Sequence, residues 1–247
     1  DIVKRPDKVI VGKKINRRLA MLLHLTFNGI AVIIGFYLAW VVDIFIFAFI
    51  NLVAAGIFWY YSTTYKKMFL VGNLVVAVTS ALPALGVVIF DMLKLSQNNG
   101  PEIVEQGLSF SMLFAIVGSF SFFSFLTNFI RELIKDLEDL EGDSVYGRRT
   151  LPIVLNVKPT KFIITCFILI TIFLLGYVYL QFLTDPITLW YFLLFLIIPL
   201  VLLMLLVIRS STQTEYHKAG LLLKIIMLAG VFYAPVIFYI VTYKIAP

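Results

Sequence analysis

The chain has 247 residues, 61% of them hydrophobic and 14% charged, with 20 Lys plus Arg against 14 Asp plus Glu. A mean hydropathy of +1.00 excludes a water-soluble globular domain, and the single cysteine, Cys166, inside an apolar run, excludes a disulfide framework. In such a chain the formal charge of +6 reads as a membrane-orientation signal rather than a nucleic-acid signal.

The chain begins at Asp1 with a polar, basic stretch to Arg18, an odd start that leads us to expect further residues upstream. Seven apolar runs follow, over residues 19–42, 44–63, 68–90, 107–130, 162–184, 188–208 and 221–243. In lipid every backbone polar group must be satisfied within the segment, so each run is expected as a transmembrane helix. The fold class is therefore an all-α, multi-pass transmembrane bundle, read as one domain over residues 1–247. Placing the N-terminus inside puts every Lys and Arg on that side except Lys94 and Lys244. That asymmetry predicts a cytoplasmic N-terminus, an outside C-terminus and a working face toward the cytoplasm, in the cytoplasmic membrane.

Asp43 and Asp185 mark tight outside turns, and the longer segment from Lys94 to Gln106 carries turn chemistry in Ser96-Gln97-Asn98-Asn99-Gly100-Pro101. Pro83, Pro199 and Pro235 are expected to loosen their helices. The fourth span is rich in small polar residues, including Ser119, Ser121, Ser124 and Gly118. They suit close helix packing or the polar end of a cavity. His24 and Asn28, one turn apart, read as hydrogen-bonded structure, and His217 as a loop residue.

The charged stretch from Asn128 to Ile153 stands apart. Read as a helix continuing out of span four, it sets Glu132, Asp136, Asp139 and Asp143 within about 40° of one line. Asn128 joins that stripe one turn earlier and Lys135 borders it, while Glu138 and Glu141 fall near the opposite face. Gly142 is a candidate helix end. A solvated acidic face at a membrane edge is the plainer alternative. Like charges at i,i+4 repel, however, so a stripe of carboxylates is comfortable only with cations. Hard oxygen ligands at the mouth of an apolar bundle suit Mg²⁺, which completes its shell with water and phosphate oxygens. Arg131, Lys135, Arg148 and Arg149, interleaved with the acids, imply an anionic ligand bridged through that metal.

The run Arg131-Glu132-x-x-Lys135-Asp136-x-Glu138-Asp139-x-Glu141-Gly142-Asp143, followed by Gly147-Arg-Arg-Thr-Leu-Pro-Ile153, resembles the second Asp-rich motif of the UbiA-type intramembrane prenyltransferases. Asp1-Ile-Val-Lys-Arg5-Pro6-Asp7-Lys8-Val-Ile-Val-Gly12 resembles the end of that family's first motif, with Asp1 as its last aspartate. A weaker echo is Tyr61-Ser62-x-x-Tyr65-Lys66-Lys67 with Gly72-Asn73. Family members have about nine transmembrane helices, so the resemblance implies two helices and most of the first motif upstream of Asp1. The linker Lys8-Val-Ile-Val-Gly12 departs from the family in lacking a Pro-Ser pair.

The resemblance further implies a Mg²⁺-dependent transfer of a polyprenyl group from a prenyl diphosphate to a lipophilic acceptor within membrane lipids. Asp1, Glu132, Asp136, Asp139 and Asp143 would hold metal, the last four being the catalytic set. Arg5, Lys66, Asn73, Asn128, Arg131, Lys135 and Arg149 would bind the diphosphate. The acidic run favours a geranylgeranylglycerol-phosphate type of acceptor, with an aromatic quinone precursor or chlorin as the alternative. A transporter or ion-binding membrane protein is the competing class. It is disfavoured because the acids cluster at a helix end and leave the span midplanes nearly uncharged.

Overall fold

The computed structural model describes residues 10–63, 69–105 and 110–244. These form helices without a named strand, as an all-α bundle requires. In chain order they are α1 (Arg17–Val42), α2 (Ile46–Thr63), α3 (Val71–Glu105), α4 (Phe110–Glu138), α5 (Leu140–Val145), α6 (Leu151–Leu155), α7 (Val157–Phe182), α8 (Pro186–Tyr191), α9 (Ile198–Arg209) and α10 (Gln213–Lys244).

Each expected span coincides with a helix, and six of the described helices are long and apolar enough to cross a membrane. The second is shorter. Its apolar part, Ile46–Tyr61, rises about 24 Å at 1.5 Å per residue, less than a typical hydrocarbon core. The outward residues are large and apolar: Phe173 is 72% exposed and Phe238 70%, an arrangement that only lipid would solvate. Trp40, Trp59 and Trp190 lie exposed near helix ends, where aromatic residues meet the membrane interface.

α4 is the hub. It packs on α3 along one side and on α7 and α10 along others. Its buried Ile130, Leu133, Ile134 and Leu137 meet Ile164 and Ile168 of α7, Leu200 and Leu203 of α9, and Leu223 and Ile226 of α10 in one core. α1 and α2 form a hairpin closed at Asp43, whose left-handed backbone (φ 58°) lets its N–H cap the α1 carbonyls. Asn51 of α2 donates to the Ala31 carbonyl of α1 at 3.1 Å, and Gly35 lies directly under the Asn51 side chain.

Three expectations need correction. The segment from Lys94 toward Gln106 is not a turn, because α3 stays helical through Gly100 and Pro101 to Glu105. Once a helix is nucleated each further residue adds a bond at little cost, and this outweighs weak turn signals. Pro83 and Pro235 sit within continuous helices. Pro199 has its effect upstream instead: Phe192–Ile197 widens into a π-helix just before it, since Pro199 brings no N–H to the ladder. Finally, α10 begins at Gln213, eight residues before the apolar run. Thr212-x-x-Glu215 supplies the Glu half of a capping box, in which Glu215 Oε2 accepts from the Thr212 N–H at 2.9 Å and from the Ser211 N–H at 2.6 Å. His217 is therefore a helical residue rather than a loop residue.

Candidate active site at the acidic helix end

The antiparallel succession of long helices brings the end of α4, the end of α2 and the starts of α3, α7 and α10 to one end of the bundle. The helix expected through Asp143 is broken at one residue, because α4 ends at Glu138 and α5 starts at Leu140. Asp139 turns out of helical geometry (φ −94°, ψ 3°), yet the ladder carries across it. The Asp139 N–H donates to the Lys135 carbonyl at 2.8 Å, and the Asp143 N–H to the Asp139 carbonyl at 2.9 Å. α5 then runs straight through Gly142, so Gly142 is not the terminator.

The stop is Gly147, with φ +64°, a left-handed value that glycine adopts at no steric cost. That turn sends the chain back, and the Arg148 N–H donates to the Asp143 carbonyl at 3.1 Å. A Gly147→Val replacement is expected to cost about 1–2 kcal/mol of stability through this backbone strain. Thermal unfolding of the full-length protein in detergent would show it as a lowered Tm, and an unchanged Tm would contradict the strain argument.

Each acid of the inner stripe has a local partner. Glu132 is 8% exposed; its Oε1 accepts from Arg131 Nη1 at 3.0 Å and its Oε2 lies 3.7 Å from Lys135 Nζ. Asp136 Oδ2 accepts from Asn73 Nδ2 of α3 at 2.7 Å. Asp143 is 6% exposed and its Oδ1 accepts from Arg148 Nη1 at 2.8 Å. The three carboxyls share one electrostatic neighbourhood: Asp143 and Glu132 repel Asp136, and Lys135 offsets part of that. Asp139 lies half-buried at the turn between them.

The structure thus brings together Asn73, Arg131, Glu132, Lys135, Asp136 and Asp143. Asn128 lies one turn deeper and donates to the Ser124 carbonyl at 2.9 Å. Arg149 is exposed, and Arg148 is the arginine that meets an acid. Asp1, Arg5 and Lys66 lie outside the described residues. Tyr61, at the end of α2, falls within electrostatic reach of Glu132, Lys135, Asp136 and Arg148. The signal for it was the Tyr-x-x-x-Tyr-Lys echo. Glu138 faces away from the stripe, as its position predicts, and accepts from His217 Nδ1 of α10 at 3.0 Å. Asn28 donates to the His24 carbonyl at 3.1 Å, the structural role expected of that pair.

Among the described residues no three or more of His, Cys, Asp and Glu converge closely enough to enclose a metal ion. The donor set is nonetheless all oxygen and concentrated. It fits a hard cation held by one or two carboxylates and completed by substrate oxygens and water, the usual habit of Mg²⁺. It does not fit an all-protein cage.

Deeper along the same face of α4, about 16 Å below Glu132 on an ideal helix, lies Ser121. Its hydroxyl is buried without a hydrogen-bond partner. It borders an open groove of about 300 Å³ between α3 and α4, lined otherwise by Val78, Ala81, Leu82, Leu85, Gly118, Phe122 and Phe125. The groove is apolar and the mouth above it is charged. Both readings of the serine-rich face are therefore present, since Ser124 Oγ also reaches the Ser80 carbonyl of α3 at 3.4 Å.

Such a bundle, greasy outside and charged at one end around buried carboxylates, is that of an integral membrane enzyme acting on a ligand part lipid and part anion. The profile of the UbiA prenyltransferase family matches residues 1–229. The chain belongs to that family and is a prenyltransferase. Enzymes of this family are generally metal-dependent, and they use a prenyl diphosphate donor and a lipophilic acceptor. The chain is 29% identical to the digeranylgeranylglyceryl phosphate synthase of Thermococcus kodakarensis, over 97% of this chain and 75% of that protein. It is 30% identical to the synthase of the same name from Pyrococcus furiosus and 26% identical to that of Methanothermobacter thermautotrophicus. Those matches cover 70% and 69% of this chain but only 53% and 52% of the relatives, so it spans about half of their length there. No solved structure matches the chain.

Proposed function

We propose that this chain carries a Mg²⁺-dependent site that transfers a polyprenyl group to a glycerol-phosphate lipid. The acceptor type follows the names of the relatives. The observation that carries the reading is the stacking of two features on one face of α4: buried, cation-paired carboxylates at the helix end and an apolar groove beneath them.

The chemistry asked of the site is loss of diphosphate from an allylic carbon. Of Glu132, Asp136, Asp139 and Asp143, one or two at a time would hold Mg²⁺, which when bound neutralises charge on the leaving diphosphate. Arg131, Lys135, Arg148 and Asn73 stand around these acids as donors for the phosphate oxygens. Donors already in place favour the separated charge more than the intact substrate. The apolar side chains of α3 and α4 accept the isoprenoid tail and keep water from the carbon that becomes cationic. The basic residues at this end of the bundle favour a mouth facing the cytoplasm, at the level of the lipid headgroups.

Full-length protein in lipid nanodiscs, given geranylgeranyl diphosphate and Mg²⁺ with one acceptor at a time, tests the proposal. The expected product is the ether of a geranylgeranylglycerol phosphate, and chelation by EDTA should abolish it. Product only with a hydroxybenzoate-type acid or a chlorin would replace the acceptor, and turnover undiminished by EDTA would remove the metal.

A further inference from the structure

α10 takes no part in the acid stripe, yet it touches the residue on which the geometry of the stripe turns. Glu138 is the last residue of α4, and the chain leaves helical geometry at the next position, Asp139. Whatever fixes Glu138 fixes the start of the turn that carries Asp139 and, four residues on, Asp143. His217 Nδ1 donates to Glu138 Oε1 at 3.0 Å across 79 residues of sequence.

The platform that presents His217 is built from satisfied polar groups. The Glu215 carboxylate, accepting from the Ser211 and Thr212 N–H groups, closes the first turn of α10 two residues earlier. Tyr216, next to His217 and 4% exposed, donates its hydroxyl to the Ser210 carbonyl at 3.1 Å. Lys161 of α7 donates to the carbonyls of Ile208 and Ser210 and lies 5.7 Å from the centre of the Tyr216 ring. The ends of α7, α9 and α10 are thereby joined, and His217 projects from that joint. An ordinary exposed pair of this kind would contribute little. Here the Glu138 side chain is only 20% exposed, and the bond joins a rigid joint to a helix end.

We propose that His217 is a positioning residue for the acidic site, holding Glu138 so that the break at Asp139 brings Asp143 into the neighbourhood of Asp136. The inference rests on the reading of those acids as metal-holding groups. It predicts that losing the bond loosens metal binding without touching a ligand, as the loss of other supporting contacts does, by about tenfold.

The test uses full-length protein in detergent, with Mn²⁺ binding followed by electron paramagnetic resonance and turnover measured alongside. His217→Ala should raise the Mn²⁺ dissociation constant about tenfold and lower kcat comparably, with the donor KM within about twofold. His217→Gln, whose amide still donates to Glu138, should recover most of both. Glu138→Ala combined with His217→Ala should be no worse than either alone, the mark of a shared interaction. Asp143→Asn serves as the reference for a lost ligand. Wild-type Mn²⁺ affinity in His217→Ala, with affinity lost in Asp143→Asn, overturns the brace alone. Wild-type affinity in both removes the assignment of the acids and the brace with it. If His217→Ala does not fold, a His217→Gln protein that folds yet binds Mn²⁺ as poorly as Asp143→Asn overturns the proposal.

Discussion

Replacing Asp143 by Ala in the full-length protein is expected to lower turnover by on the order of 10²–10³-fold while leaving the bundle folded. The carboxylate is buried, faces the same neighbourhood as Asp136 and Glu132, and is tied to Arg148 at 2.8 Å. Its removal takes away one proposed ligand and the anchor of one proposed phosphate donor together. Folding survives because the Arg148 side chain is 32% exposed and reaches water when its partner is gone. Asp136→Ala should behave alike, since it also frees Asn73. The measurement is initial-rate product formation by mass spectrometry, with circular dichroism confirming helical content. A variant retaining more than about a tenth of wild-type turnover would show that the acid is structural.

The second large effect is on assembly. A Cβ added at Gly35 would lie 1.5 Å from Asn51 Nδ2 and 2.9 Å from Asn51 Cβ. Rotating the Asn51 amide away cannot relieve the contact at its Cβ, which is fixed directly to the α2 main chain, so α1 and α2 must separate. Gly35→Leu is therefore expected to cost about 2–4 kcal/mol, through overpacking and the lost bond from Asn51 to the Ala31 carbonyl. Since α2 ends beside the acids at Tyr61, the damage should reach activity as well. Gly35→Leu should unfold at lower temperature in detergent and lose turnover, and a protein unchanged in both would mean the hairpin tolerates a gap.

The spans were readable because lipid leaves an apolar chain few choices, and length and composition alone then mark a crossing helix. The acid stripe of the candidate site is legible for a related reason. Charge is so scarce in this chain that Glu132, Asp136, Asp139 and Asp143 stood out by type and spacing. What escaped was decided by single residues of backbone geometry. Gly142 and Gly147 are both plausible helix stops, and only the folded chain shows that Gly147 takes the left-handed turn. The choice between Arg148 and Arg149 follows from that turn, because it decides which guanidinium returns to Asp143. The start of α10 was legible in Thr212-x-x-Glu215. The apolar run begins only at residue 221, so hydropathy alone places the helix start too late and leaves His217 outside it.

The pairing within the acid stripe bears on how a substrate arrives. Glu132 carries Arg131 and Lys135 beside it, and Asp143 carries Arg148. An anionic lipid drifting along the membrane surface meets a mouth in which two of the acids, Glu132 and Asp143, already stand beside cations, not a wall of bare carboxylates. Long-range repulsion is small there, so encounter with the diphosphate should depend only weakly on ionic strength. Under the proposed function, selection would fall instead to the short-range step, in which Arg131, Lys135 and Arg148 would exchange carboxylates for phosphate oxygens.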